Sequence, residues 1–82
     1  MEILFKKSAE KELLSLPKPL AKRIFQKISL LAENPHGQGS QKLEKGRGYR
    51  IRIGDHRVVY AIDKKRKTVF IIKIGHRREV YR

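Results

Sequence analysis

Cysteine is absent from this 82-residue chain, which excludes disulfides and thiolate metal sites as staples and leaves the redox compartment open beyond compatibility with the cytosol. Acidic residues are scarce: eight Asp and Glu stand against 21 Lys and Arg, a formal net charge of +13. Long apolar runs are missing too. None approaches the ~18 residues of a membrane span, and Met1–Lys7 lacks the apolar length and cleavage site of a signal peptide. The expectation is a cytoplasmic protein with no membrane partner. Aromatic residues number three Phe and three Tyr, several of them needed for a core. So few argue against a small basic RNA-binding module, because single-strand binders stack bases on aromatic side chains.

What the chain has in excess is positive charge. A pI near 10.5 exceeds the value of ~9 above which a basic domain suggests a nucleic-acid partner; an acidic protein fits the same charge. For Lys64, Lys65 and Lys67 a solvated surface is the plainer reading. The length suits one domain, residues 1–82, burying ~60–65% of its unfolded surface.

The pattern is sharpest over Gly48–Tyr60. Tyr49, Ile51 and Ile53 alternate with Arg50 and Arg52, so an extended strand has one apolar face and one face with two guanidinium groups. Gly54-Asp55 reads as a tight turn. The following strand, from Arg57 to about Ile62, then sets Arg57 near Arg52 on the same face. Like charges gathered in this way gain nothing for folding. The arrangement calls for a polyanion.

Around this hairpin the remaining elements follow from spacing. Residues 2 to 7 suit a first strand. Ser8 can cap a helix over Ala9–Leu16, with Ala9, Leu13 and Leu16 on one stripe and Leu14 widening it. Pro17-Lys18-Pro19 makes a stiff connector, and Pro19 fits the first turn of a second helix that runs to about Glu33, its apolar positions being Leu20, Ile24, Ile28 and Leu31. Asn34-Pro35 ends it. Residues 36–48 read as a polar, glycine-rich loop anchored by Leu43, and Asp63–Lys67 as a charged turn. Thr68–Ile74 is the most apolar strand and is expected at the sheet's centre, with Phe70, Ile72 and Ile74 toward the helices and Val69, Ile71 and Lys73 on the other face. The fold class is α+β, in the order β-α-α-β-β-β: a helical hairpin packed on a small antiparallel sheet.

Seven groups are expected above one face of that sheet: Arg50, Arg52, Arg57, Lys73, and from the tail His76, Arg77 and Tyr81. No carboxylate pair with hydrolase-like spacing joins them. The histidines at 36, 56 and 76 are scattered, which speaks against a zinc site. No histidine is placed to activate a serine, and no glycine-rich phosphate loop opens a helix. What remains is cofactor-free and metal-free chemistry on a phosphate, or binding alone. RNA makes such chemistry reasonable, since its 2′-hydroxyl is a built-in nucleophile. The protein must hold the geometry, move two protons and stabilise charge on phosphorus. Arginines suit the last task and not proton transfer. Nearby positive charge favours the unprotonated form of its neighbours, which makes His76 a candidate base.

Two runs, Tyr49–Tyr60 (YRIRIGDHRVVY) and Ile74–Tyr81 (IGHRREVY), resemble the RelE toxins of toxin–antitoxin pairs, and the likeness extends over nearly the whole chain. It implies a microbial-ribonuclease-like fold, metal-independent cleavage of messenger RNA in the ribosomal A site to a 2′,3′-cyclic phosphate end, and a cognate antitoxin, expected to be acidic. In the family's pattern, Arg50 and Arg52 fall where two basic residues alternate, Arg57 opens the next strand, and Arg77 and Tyr81 follow the last. The best-known enzyme has lysines where Arg50 and Arg52 stand. That departure favours phosphate binding by Arg50, Arg52 and Lys73 and moves the base to Tyr81 or His76, with Arg57 stabilising the phosphorane and Arg77 the leaving group. Related ParE toxins share the fold and poison DNA gyrase by binding, which is the alternative function.

Overall fold

The structure, a computed structural model, describes residues 1–36, 39–43 and 48–76. Five strands and two helices occur among them: β1 (Glu2–Phe5), α1 (Lys7–Leu14), α2 (Lys18–Leu31), β2 (Gln41–Lys42), β3 (Tyr49–Ile53), β4 (His56–Asp63) and β5 (Thr68–His76). The strands form one sheet in the order β1-β5-β4-β3-β2. No helix among the described residues is long and apolar enough to cross a membrane.

The expected helical pair is present, with altered limits. Helix α1 starts at Lys7 with Lys6 as its N-cap, and Ser8 lies inside the first turn. Ala9 and Leu13 are buried, whereas Leu14 is 75% exposed, because the stripe facing the sheet is too narrow to include it. Pro17 is the N-cap of α2 and Pro19 sits in its first turn, where a missing N–H costs nothing. Ile24, Ile28 and Leu31 seal the helix to the sheet. It stops at Leu31, short of Asn34-Pro35.

Several features of the sheet differ from expectation, the added strand β2 among them. The sheet is mixed, because β1 runs parallel to β5; two helices separate β1 from the later strands, long enough for the chain to re-enter in the same direction. The phase of β5 also changes along its length. Tyr60 faces Ile71 and Val59 faces Lys73, so Ile72 is the extra residue of a bulge. Val69 and Ile71 therefore join Ile74 in the core, while Phe70 is 39% exposed, the reverse of strict alternation. Central place falls to β4, with β5 beside it. Glu12 of α1 accepts from Ile74 N at 3.4 Å just past the bulge.

This register predicts unequal truncation costs. Ile71→Ala should destabilise by roughly 2–5 kcal/mol, the range for a fully buried isoleucine. Phe70→Ala should cost about 1 kcal/mol or less, since exposed side chains contribute little. Urea unfolding of the two variants measures the difference, and equal losses would contradict the bulge.

Candidate functional site

The hairpin β3–β4 builds the site. Gly54 takes φ +60° and is the only residue of the two-residue turn with positive φ, the pattern of a II′ hairpin turn, whose twist matches that of its strands. The turn fixes the register: Arg52 lies directly opposite Arg57, and Arg50 opposite Val59. Because Arg50 and Arg52 are two apart on one strand, all three arginines project from the face away from the helices. They line one groove of about 350 Å³ with Gly39 and Gln41. Arg57 is only 8% exposed and Arg52 is exposed. A guanidinium stays charged whether buried or not, so the groove concentrates positive charge on a rigid support.

Lys73 shares this face and follows Arg50 and Val59 in one row across the sheet, roughly 10 Å from Arg50 at two strand spacings. It does not line the groove. His76 is a correction. Its place two residues beyond Ile74 sets it on the opposite face from Arg57, beside His56, with ring centroids 5.7 Å apart. Strand alternation through Gly75 forces this, so His76 cannot serve as a base above the arginines. The two histidines, far apart in sequence, meet edge to face. Arg77 and Tyr81 lie outside the described residues.

Sequence reasoning missed the wall of the groove. Gln41, in the two-residue β2, pairs with Arg50 across the ladder. Its Oε1 accepts from Arg50 Nε at 3.0 Å and Nη2 at 2.6 Å. The preceding residue, Ser40, is tied to Tyr60. The Tyr60 hydroxyl donates to Pro35 O at 2.7 Å and lies 2.6 Å from Ser40 Oγ. A phenol has one proton to give, so Ser40 is the donor in the second bond. Burial pushes the Tyr60 phenol above its usual range, against the Ser40 hydrogen bond that lowers it, and the group stays a neutral donor. Tyr49 stacks on Tyr60 at 5.7 Å, and His36 meets Tyr49 edge-on at 5.1 Å. The sequence offered Leu43 as the loop's anchor and gave no sign of these ring contacts.

The family model described as ParE toxin of type II toxin-antitoxin system, parDE, matches residues 3–81. The chain belongs to the RelE/ParE toxin superfamily. No curated protein sequence gives a match. Among solved structures, the toxin is similar to the archaeal RelE–RelB complex from Pyrococcus horikoshii OT3, at 32% identity and TM-score 0.78 over 93% of each chain. It is also similar to the isolated RelE toxin of E. coli, at 27% identity and TM-score 0.81 over 98% of this chain and 89% of that one. A YoeB/ParE toxin from Agrobacterium tumefaciens shares the fold, with 17% identity and TM-score 0.78 over 93% of this chain and 98% of that chain. The toxin is thus of the type II toxin–antitoxin kind, with a RelE-like fold.

Proposed function

We propose that the toxin is an endoribonuclease that cuts messenger RNA on the ribosome without a metal. The observation that carries this reading is the direct opposition of Arg52 and Arg57, with Arg50 beside them, on one groove. Such clustering opposes folding unless an anion neutralises it, and three guanidinium forks suit the oxygens of a phosphodiester. The same charges would repel a divalent cation, so charge on phosphorus is met by arginine. The RNA 2′-hydroxyl attacks phosphorus, the P–O5′ bond breaks, and a 2′,3′-cyclic phosphate and a 5′-hydroxyl remain. Arg57, held at the floor by strand pairing and burial, stabilises the phosphorane, and Arg50 and Arg52 bind phosphate oxygens. Lys73 extends the basic row toward the flanking backbone. Tyr81, as its phenolate, takes the proton from the 2′-hydroxyl; water supplies the proton that makes the leaving O5′ a hydroxyl, and Arg77 neutralises the charge developing on that oxygen, roles that rest on the family pattern.

The toxin's partner in this reading is an antitoxin, as RelB is for the Pyrococcus relative. The net charge of +13 favours an acidic one through electrostatic complementarity. It acts by blocking the groove or displacing the tail, in the cytoplasm where messenger and ribosomes are.

A second reading has its own support, since the matching family model is that of ParE toxins. On that reading the basic face binds DNA gyrase and poisons it. Expressing the toxin and mapping the 5′ ends of cellular transcripts separates the two. Cleavage inside translated codons is the expected result. Intact messages with gyrase-dependent DNA breaks would overturn it.

A further inference from the structure

Among the described residues, the hydrogen bonds of one polar side chain in the groove go to an arginine. Gln41 Oε1 takes two N–H groups of Arg50 in a forked contact, at 3.0 and 2.6 Å. Gln41 and Arg50 both line the groove. A carboxylate at this position would hold the guanidinium more strongly, but it would also cancel the charge that an anion needs. A neutral amide orients the fork without itself adding a negative charge. The strand carrying Gln41 is only two residues long, too short to be fixed by its own ladder. Its anchor is Tyr60, fully buried, whose hydroxyl ties down both Pro35 and Ser40.

We infer that Gln41 is a positioning residue that presets Arg50 for phosphate binding, and that Tyr60 fixes Gln41 through Ser40. The inference rests on the groove being the RNA site proposed above. Long basic side chains lose rotamer freedom on binding; a fork already held loses less. Tyr60 points into the core, on the opposite face of the sheet from the arginines, so its role is indirect: it acts on the strand, not on the ligand.

Two measurements test this. The first uses the free toxin: exchange of the Arg50 Nε–H proton followed by NMR. Protection is expected in the native protein, retained in Gln41→Glu, lost in Gln41→Ala and weakened in Tyr60→Phe. The second is the affinity for a short 2′-O-methyl oligoribonucleotide, which lacks the attacking hydroxyl. Gln41→Ala should weaken binding about 2- to 10-fold, from the ordering of one side chain. Gln41→Glu should weaken it further and flatten the salt dependence by about 0.7 in log–log slope, the loss of one phosphate contact. An unprotected Nε–H in the native toxin, or protection unchanged in Gln41→Ala, overturns the clamp whatever the toxin does to RNA. Unchanged affinity in Gln41→Ala, where Arg50→Ala weakens binding, overturns the positioning role alone. Affinity indifferent to Arg50→Ala as well overturns the groove as the RNA site, and the inference with it.

Discussion

Arg57→Ala is expected to lower the rate of message cleavage about 100- to 1,000-fold, the loss seen when one preorganised donor to a developing charge is removed. Of the three groove arginines it is the buried one, 8% exposed. It stands on the central strand and lies opposite Arg52 on β3 and Gly75 on β5. Preorganisation of this kind helps the transition state more than the ground state, so kcat should fall with little change in KM. Arg52→Ala provides the contrast. Arg52 is exposed and faces a like charge, so its removal relieves repulsion. The melting temperature should hold or rise while RNA binding weakens. A variant at Arg57 that cleaves at the native rate while folded removes the arginine groove from the mechanism.

Gly48→Ala is expected to destabilise the fold by roughly 2–4 kcal/mol, a fall in melting temperature of about 10–25 °C for a domain of this size. Gly48 takes φ +105°, and a Cβ there would lie 2.5 Å from the Tyr60 carbonyl oxygen, inside van der Waals contact with backbone that cannot move aside. The position also holds the loop closed, its carbonyl accepting from Leu43 N at 2.8 Å. Gly54→Ala is the control: φ is +60° and no atom lies within 4 Å of the added carbon. Only the left-handed backbone cost applies there, about 1–2 kcal/mol. Thermal melts of both variants separate the close contact from the conformational term, and equal losses would contradict the packing of Gly48 on Tyr60.

The hairpin was legible in the sequence because its alternation is strict. Three apolar and two basic residues between Tyr49 and Ile53, then a Gly-Asp turn, leave one register that buries the apolar set. The two helices were legible from their three-and-four spacing and the proline connector. Thr68–Ile74 was not, because six of its seven residues are apolar or small enough for either face. Without alternation nothing in the sequence marks Ile72 as the extra residue, and every assignment before it falls on the wrong face. His76 was misplaced for a different reason: Ile74 faces the helices as expected, and because β5 continues to His76, plain alternation sets His76 beside His56 and not above the arginines. Gln41-Lys42 is a strand only through pairing with Tyr49 and Arg50; two polar residues have no pattern of their own. The arginine face was therefore readable, and the glutamine that orients one of its members was not.

The central claim is that these guanidinium groups grip a phosphodiester while the neighbouring 2′-hydroxyl breaks it. It is tested most directly by single-turnover cleavage of a ribosome-bound message carrying one 2′-deoxynucleotide at the scissile position. The account predicts that the deoxy message stays intact while the all-ribose control is cut to a 2′,3′-cyclic phosphate end. Cutting of both messages at similar rates would contradict it.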